Sequence, residues 1–381
     1  MRAVFVIGSF QHGGAERHAI SLMNRLAERG HECHVVAIKP DDPRLVERLR
    51  LRNGGTARCL DAQRYFDRRA LAAFAAHLAD VKPSVVVAAN PYALMYASIA
   101  LRLARVRAAL VVTYHSNRLL GAKEWFQMMA YRLLFWTSDC LVFVCDRQKR
   151  YWSRRAVLAR RTEVIHNGVD TDEFADRWDP EERRTLRGTL GFRDADYVIG
   201  LPAVLRPEKN PVQLVDAVAA LRTLGIPACA LLIGDGEMRG AVEARARTLG
   251  IERHVVVSGL QRDVRPYVAA CDAVVLCSLT EALSMAAIEA MALARPVVHS
   301  DVGGAAEMIE PGRNGFLFPV GDTRALVGKL AILADRGNCE RMGRAARAVA
   351  ETRFSERKMV DRYEQVLLDL GQSNRTMPGE R

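Results

Sequence analysis

The chain has 381 residues, of which 50% are hydrophobic and 26% charged, and its formal net charge is +11. One hydrophobic core rarely serves this length, so two domains are expected. The composition is that of an ordinary globular protein, so disorder is not expected. The positive charge favours an anionic partner. Charge alone leaves open a phosphorylated substrate, an acidic membrane surface or nucleic acid.

Short β-branched runs alternate with helix-length segments in the first part of the chain. The predicted strands cover residues 3–8, 33–39, 84–89, 109–114 and 141–144. This alternation predicts parallel strands with helical crossovers. The first run ends in glycines and has no small-residue cleavage site, so we interpret it as a strand and not a signal peptide. Residues 84–101 carry no charge, but Asn90-Pro91 in the middle favours a strand, a turn and a helix over a membrane span.

The same rhythm restarts after a polar stretch at residues 171–196. Further strands are predicted at residues 197–204, 228–234, 254–259, 273–278 and 296–300. We therefore expect an α/β protein with two doubly wound Rossmann-like domains, covering residues 1–168 and 169–352. Parallel sheets bind ligands at the carboxyl ends of their strands, which predicts a site in a cleft between the domains. A helix over residues 353–370 is expected to pack back on the first domain, before a disordered tail at 371–381.

Two polar patterns bear on compartment and metal. The eight cysteines include no C-x-x-C pair, and several lie in predicted strands, which indicates reduced thiols in a cytoplasmic protein. Asp194-Ala195-Asp196 matches the D-x-D metal motif, but it lies in a polar loop on the far side of a strand from the predicted cleft. A chance match is the better interpretation, so no required metal and no cofactor are expected.

Two glutamates stand eight residues apart in the stretch T-E-A-L-S-M-A-A-I-E-A-M, residues 280–291. Glu281 follows a predicted strand, and Glu289 falls within a predicted helix. The start of that helix is assigned to Leu283, Ser284, Met285 and Ala286. A helix N-terminus attracts a diphosphate, and the flanking carboxylates can accept hydrogen bonds from a sugar and a ribose. Taken alone, the spacing also fits two solvated glutamates at a helix end.

Five motifs follow one another along the chain. They are G-G-A-E-R at 13–17, H-N-G-V-D at 166–170, R-P-E-K-N at 206–210, I-G-D-G at 233–236 and E-x7-E at 281–289. Together they resemble the retaining glycosyltransferases of family 4, over nearly the whole chain. The resemblance implies a GT-B fold and transfer of a hexosyl unit from a UDP- or GDP-sugar to a glycan or lipid-linked acceptor in cell-surface polysaccharide or lipopolysaccharide synthesis. The chain reads E-A-L-S-M-A where many relatives have E-G-F-G-L, which leaves the sugar open.

The resemblance also implies roles for individual residues. Arg206 and Lys209 would bind the donor diphosphate, with exposed basic side chains as the simpler alternative. Gly14 and Gly234 would lie against the donor, although a glycine pair also fits a plain turn. His115 would contact the transferred sugar, act as a proton relay, or be an ordinary strand-end residue. With Glu281, the residues His115, Arg206 and Lys209 form the predicted catalytic set.

Two further segments have alternative interpretations. The turn at residues 166–170 is predicted to be a hinge, and a structural turn would look the same. The aromatic segment 125–136 and the basic run after it fit either a peripheral contact with an anionic membrane on its inner face or a core helix beside a solvated one. No nucleic-acid module is recognised, so no nucleic-acid partner is expected. The alternative functions are a nucleotide-sugar epimerase of GT-B fold and a non-catalytic basic membrane-surface protein.

Overall fold

The computed structural model describes residues 1–9, 14–39, 49–115 and 122–373. The chain divides into two compact units, one from Met1–His166 with the chain from Met359 onward, and one from Asn167–Lys358. The sequence places these boundaries at 168 and 352. The chain therefore passes from one unit to the other twice, within the H-N-G-V-D motif and within the last helix.

The first unit is built on a seven-stranded parallel sheet. Its strands are β1 (Arg2–Ile7), β2 (Glu32–Ala37), β3 (Ala57–Cys59), β4 (Val85–Ala89), β5 (Ala109–Tyr114), β6 (Cys140–Phe143) and β7 (Arg161–Val164). They lie in the order β3-β2-β1-β4-β5-β6-β7. Its helices are α1 (Gly14–Glu28), α2 (Arg68–Val81), α3 (Asn90–Ala104), α4 (Ala122–Trp136) and α5 (Asp146–Ser153).

Both faces of this sheet are buried, because successive residues of a strand point to opposite sides. Phe5 and Ile7 of β1 join the core beneath α1, whereas Val4 and Val6 join the core beneath α2 and α3. Helices on both faces of a parallel sheet make the doubly wound arrangement. Among the described residues, no helix is both long and apolar enough to cross a bilayer. The uncharged segment 84–101 forms β4 and most of α3.

The second unit is built on a six-stranded parallel sheet. Its strands are β8 (Tyr197–Pro202), β9 (Ala228–Ile233), β10 (Val255–Val257), β11 (Ala273–Leu276), β12 (Val297–Ser300) and β13 (Gly315–Phe318). They lie in the order β10-β9-β8-β11-β12-β13. The helices are α6 (Pro180–Thr189), α7 (Val212–Thr223), α8 (Arg239–Thr248), α9 (Arg265–Ala269), α10 (Met285–Ala292), α11 (Ala305–Met308), α12 (Thr323–Leu333) and α13 (Arg336–Arg353). Short 3-10 helices form at Pro207–Lys209 and Glu252–His254.

The last helix, α14 (Glu356–Ser373), differs from its prediction at both ends. The segment predicted as one helix from 353 contains the end of α13 and the start of α14, separated by Phe354 and Ser355. Gly371, predicted to open a disordered tail, is buried against Ser84 and Val85, and that contact accounts for the continued helix. Tyr363 and Val366 of α14 lie in the core of the first unit. Residues 374–381 of the predicted tail lie outside the described residues.

Candidate active site

An ion pair stands at the carboxyl ends of the strands in the second unit. Lys209 closes the short 3-10 helix that follows β8, and its Nζ donates to Oε2 of Glu281 at 2.5 Å. Ser278, just after β11, donates to the same Oε2 at 3.2 Å. Both partners of the pair are partly exposed. Two residues 72 positions apart in the sequence thus form one charged group at the sheet edge.

The backbone around this ion pair is tied down by close contacts. The Leu279 N–H donates to the Glu208 carbonyl at 2.8 Å, which joins the loop after β11 to the loop after β8. Gly303 has φ +50°, and a Cβ there would lie 2.0 Å from the Glu281 carbonyl oxygen. The Gly304 N–H donates to the Ala282 carbonyl at 2.7 Å. The glycine pair after β12 is therefore needed for the close approach that fixes the Glu281 loop.

The helix α10 begins beside Glu281. It starts at Met285, with Ser284 as the N-cap residue, whose Oγ accepts the Ala287 N–H at 3.3 Å. The predicted start at Leu283 is thus two residues early. The Leu283 side chain is buried, so only its backbone is suited to the predicted donor contact. Met285 and Ala286 supply first-turn N–H groups, which have no acceptor within a helix, and Glu289 lies one turn further along α10.

Two other predicted donor residues lie on neighbouring loops. Arg206 is the N-cap of the short 3-10 helix, and its exposed guanidinium is 3.9 Å from Glu208. Gly234 follows β9 with φ +149°, and a Cβ there would lie 2.0 Å from the Ala203 carbonyl oxygen. Gly234 thus allows the loop that carries Arg206 to pack against the end of β9.

Sequence reasoning missed a histidine at this site. His299 of β12 is fully buried, and its Nδ1 lies 2.7 Å from the Ser300 carbonyl oxygen. Burial lowers the pKa of His299, and the nearby Glu281 carboxylate opposes that shift. The imidazole is therefore neutral at neutral pH, within electrostatic range of Glu281 and Lys209. An apolar strand that contains a single histidine was the available signal.

In the first unit, His115 follows β5 and is held by its backbone. Its N–H donates to Oδ1 of Asn90 at 3.1 Å, and the preceding Tyr114 carbonyl accepts from the buried Gln148 amide at 2.9 Å. Burial lowers the pKa of His115 to about 4. Its Nε2 has no hydrogen-bond partner in the described structure. A neutral imidazole is therefore held at the carboxyl end of a central strand.

The remaining predicted residues are Gly14 and the two aspartates of the D-x-D pattern. Gly14 is the first residue of α1, whereas Gly13 lies outside the described residues. Asp196 of the D-x-D pattern is buried and bonds to the Arg193 side chain at 2.8 Å and to its backbone N–H. Asp194 pairs with Arg184. These ion pairs give both carboxylates a structural partner, and the described residues contain no cluster of metal-ligating side chains.

The predicted hinge coincides with the point where the chain leaves the first unit. The turn is anchored on the side of the second unit, where the Val169 N–H donates to the Phe354 carbonyl at 2.9 Å. A Cβ at Gly168 would lie 2.5 Å from the Ser355 carbonyl oxygen. Asp170 accepts the N–H groups of Asp172 and Glu173, both at 3.0 Å. The motif residues thus build a close backbone crossing at the unit boundary.

The helix α4 carries large apolar side chains on its solvent face. Phe126, Met129, Leu133 and Trp136 are 75%, 52%, 62% and 51% exposed. Their spacing of three and four residues places them in one row, the apolar stripe. Met128 and Phe135 are buried on the other side of the helix. The Trp136 indole donates to the Ala156 carbonyl at 3.2 Å, which sets the stripe beside the basic turn after α5. The side chain of Trp125, in the same predicted segment, lies outside the description.

Two parallel α/β units, with a cation, carboxylates and a helix N-terminus at one sheet edge, define a protein of the GT-B glycosyltransferase class. A family model described as "Glycosyl transferases group 1" matches residues 182–349, and one described as "Glycosyltransferase Family 4" matches residues 12–173. The chain belongs to the glycosyltransferase family that these two models describe.

Individual relatives agree with this assignment. EpsD of Bacillus subtilis, named as a glycosyltransferase, is 32% identical over 257 residues, 65% of each chain. The UDP-Gal:alpha-D-GlcNAc-diphosphoundecaprenol alpha-1,3-galactosyltransferase of Escherichia coli is 25% identical over 213 residues, 54% of each. The chain thus spans between half and two thirds of these curated relatives. Anabaena HepE in complex with UDP superimposes with a TM-score of 0.84 over 97% of this chain and 100% of that one, at 23% identity, which shows the shared fold.

Proposed function

We propose that this protein is a retaining glycosyltransferase that transfers a hexosyl unit from a nucleotide diphosphate sugar to a glycan or lipid-linked acceptor. The observation that carries the proposal is the Lys209–Glu281 pair at the carboxyl ends of β8 and β11, beside the start of α10. Such an edge of an open α/β sheet is where ligands bind in this architecture.

The cationic groups of the second unit are assigned to the diphosphate. Lys209 has three N–H donors and directs one of them to Glu281, so two remain for phosphate oxygens. Arg206 is exposed on the same loop, and the first turn of α10 adds N–H groups and the positive end of a helix dipole. These groups stabilise the negative charge that grows on the departing diphosphate. We therefore propose that no metal ion is required.

The remaining groups are assigned to the two sugars of the donor. Glu281 accepts a hydroxyl of the transferred sugar, and Glu289 accepts the ribose hydroxyls. Gly234 and Gly14 bring backbone close to the donor. His115 is neutral and has an unpartnered Nε2, which suits it to a sugar hydroxyl. The bond between the sugar and the diphosphate breaks, and the acceptor oxygen bonds to the anomeric carbon on the same face while its proton passes to the departing diphosphate. The anomeric configuration is therefore retained without a covalent enzyme intermediate.

The ligands and substrates named for similar proteins narrow the choice of donor and acceptor to test. HepE structures were determined with UDP and with UDP-glucose, which supports a UDP-sugar as the first donor to test, before a GDP-sugar. The name of the E. coli relative specifies a diphosphoundecaprenol-linked acceptor. We therefore propose a role in cell-surface polysaccharide or lipopolysaccharide synthesis.

A lipid-linked acceptor requires access to a membrane surface, and we assign this contact to the apolar stripe of α4. Exposed Phe and Trp side chains next to basic residues favour an anionic lipid interface. Arg150 and Arg154 are exposed in α5 and the turn after it. Leu133→Ser with Phe126→Ser should abolish flotation with vesicles containing an anionic lipid, whereas Leu224→Ser, at an exposed position of the second unit, should not. Equal flotation of all variants would remove this assignment.

The central experiment is a thermal-shift panel of uridine, guanosine and adenosine diphosphates and their sugars. A ligand at a hundred times its dissociation constant stabilises the native state by about 2.7 kcal/mol. The donor that shifts the melting temperature is then incubated with lipid-linked and glycan acceptors, and the anomeric configuration of the product is read by NMR. Inversion would overturn the retaining mechanism, and donor conversion without an acceptor would indicate an epimerase. No shift with any nucleotide would contradict the proposal.

A further inference from the structure

The most unusual buried polar group of the first unit is His18 of α1. Its side chain is 8% exposed, and neither ring nitrogen has a hydrogen-bond partner within residues 1–9, 14–39, 49–115 and 122–373. Its neighbours on the same face of α1, Leu22 and Leu26, are apolar core residues. Burying a polar group without a partner costs on the order of 1–3 kcal/mol. A phenylalanine would avoid that cost, so packing alone does not explain the imidazole.

The His18 ring contacts two other rings, each of which carries a polar atom without a partner among the described residues. Its ring centroid is 5.0 Å from that of His115, with the planes at 62°, and 5.5 Å from that of Tyr363 of α14. The His115 Nε2 and the Tyr363 hydroxyl also have no partner in the described structure. Three distant parts of the chain thus bring together three rings, with His18 in contact with each of the other two, and these rings carry four polar atoms that have no partner among the described residues.

The chemistry of the cluster favours a neutral ligand group. Burial lowers the pKa of His18 well below its usual value, and the neighbouring His115 lowers it further. Burial also raises the pKa of Tyr363. Each neutral imidazole has one donor and one acceptor nitrogen, and the phenol can donate or accept. A hydroxyl group, which both donates and accepts, matches this set, whereas a phosphate requires donors only.

We propose that His18 is a positioning residue for His115, holding with Tyr363 a hydroxyl group, of water or of a sugar, that fixes the tautomer of the His115 ring. Which imidazole nitrogen carries the proton is set by the hydrogen bond that the other makes. The claim that the His115 tautomer matters for sugar transfer rests on the proposed function. The claim that His18 fixes the tautomer does not depend on that function.

The test compares histidine tautomers in the wild type, His18→Phe and His77→Phe, each labelled with 15N-histidine, and uses labelled His115→Gln for assignment. Nitrogen chemical shifts distinguish protonated from unprotonated ring nitrogens, and His115→Gln identifies the resonances of His115. His18→Phe keeps a ring against His115 but removes both nitrogens. The matched control is His77→Phe, since His77 is also buried with an unpartnered Nε2 but contacts His34 at 5.9 Å.

We expect one His115 tautomer in the wild type and a mixture in His18→Phe, with His77→Phe like the wild type. If water is the held group, the single tautomer is present in the free protein. If a sugar supplies it, the single tautomer appears only when the donor is added. His18→Phe remains mixed in both states. A wild-type spectrum for His18→Phe in both states would overturn the proposal.

Stability and kinetics separate positioning from packing. The melting temperature of His18→Phe should equal or exceed that of the wild type, while kcat falls by at least about tenfold because His115 is misplaced. The dissociation constant of the nucleotide, assigned to the second unit, should not change. Unchanged kcat would overturn the link to catalysis.

If His18→Phe does not fold, Tyr363→Phe is the substitute variant, because it removes only the hydroxyl. It should also give a mixture of His115 tautomers. A wild-type spectrum for Tyr363→Phe would overturn the proposal. The tautomer measurement needs no turnover, so it remains decisive if the transferase assignment fails.

Discussion

The two units differ in whether the polar side chains of their candidate sites have hydrogen-bond partners. In the second unit, Lys209 and Glu281 bond to each other, and Ser278 supports the carboxylate. In the first unit, both ring nitrogens of the buried His18 and the buried Nε2 atom of the half-buried His115 have no partner in the described structure. The charged site is thus assembled before a ligand binds. The uncharged cluster of His18, His115 and Tyr363 (the neutral cluster) carries an energetic cost, which the proposed hydroxyl group would offset.

The difference follows from charge. An unpaired buried ion costs far more than an unpaired buried neutral group, so charged side chains must be partnered in the free protein. A neutral imidazole can remain unpartnered at a cost of a few kcal/mol. Binding of the charged diphosphate is therefore assigned to the second unit, and recognition of a hydroxyl group to the first. A separate substitution tests each assignment.

The largest effect is expected when the ion pair is broken. Lys209→Ala or Glu281→Ala should lower kcat by about 10²–10³-fold, the usual cost of losing one preorganised electrostatic group. The double variant should lose little more than either single one, because the partners act as a unit. Arg245→Ala, which breaks an exposed ion pair with Asp216, is the control and should leave kcat unchanged. Full activity of Lys209→Ala would contradict the transferase site.

A second substitution tests whether the Glu281 loop is held by its close backbone contact. Gly303→Ala should destabilise the protein by about 3 kcal/mol, because the new Cβ would meet the Glu281 carbonyl and φ is +50°. Gly328→Ala, in α12 with no atom within 4 Å of the new Cβ, should stabilise it by about 0.5–1 kcal/mol. Urea unfolding measures both. Equal stability of the two variants would show that the close approach of Gly303 to the Glu281 carbonyl does not hold the Glu281 loop.

The pH dependence of stability tests the neutral cluster. The pKa of His18 is lowered by folding, so below about pH 6.5 the unfolded chain binds a proton that the native state excludes. This contribution is complete above the unfolded pKa and is lost as the pH falls toward the folded one. The unfolding free energy of the wild type should fall relative to His18→Phe by up to about 1.4 kcal/mol per pH unit. A difference that does not change between pH 7 and 5 would mean that His18 is not buried as a neutral ring.

The smallest effect is expected at the backbone of His115. Asn90 has φ +69°, so Asn90→Gly keeps the backbone conformation and removes only the acceptor of the His115 N–H. The loss should be about 1 kcal/mol in unfolding free energy. Asn90→Asp keeps an acceptor oxygen and should retain most of that stability. If Asn90→Gly matches the wild type, this hydrogen bond does not hold His115.

The central strands of both sheets could be predicted from the sequence, but three edge strands could not. β1, β4 and β5 are continuous apolar runs, because a central parallel strand is covered on both faces. β3 reads A-R-C and is exposed, and β7 reads R-T-E-V and is half-buried. β13 is also an edge strand. β3 and β7 are short and polar, so little in their composition distinguishes them from loops. β13 reads G-F-L-F and is mostly buried, and its four residues are too few to separate a strand from a short apolar turn of helix.

Only the residues of the candidate site that lie in recognisable motifs could be predicted from the sequence. Motifs identified Lys209 and Glu281 because their residue types and spacing carry information locally. His18 gave only a weak signal, a single histidine on the apolar face of an otherwise ordinary amphipathic helix. Its environment comes from α14 and from the end of β5, which lie 345 and 97 positions away.

By itself, the sequence determined the fold class, the two-unit organisation and the chemical types of the site residues, because hydrophobic periodicity and short motifs are local properties of the chain. Only the tertiary structure decided which polar groups are partnered. Whether a side chain finds a partner depends on segments that are distant in sequence and meet only after the sheets have formed. That is why the Lys209–Glu281 pair and the His18–His115–Tyr363 cluster became visible only in the folded protein.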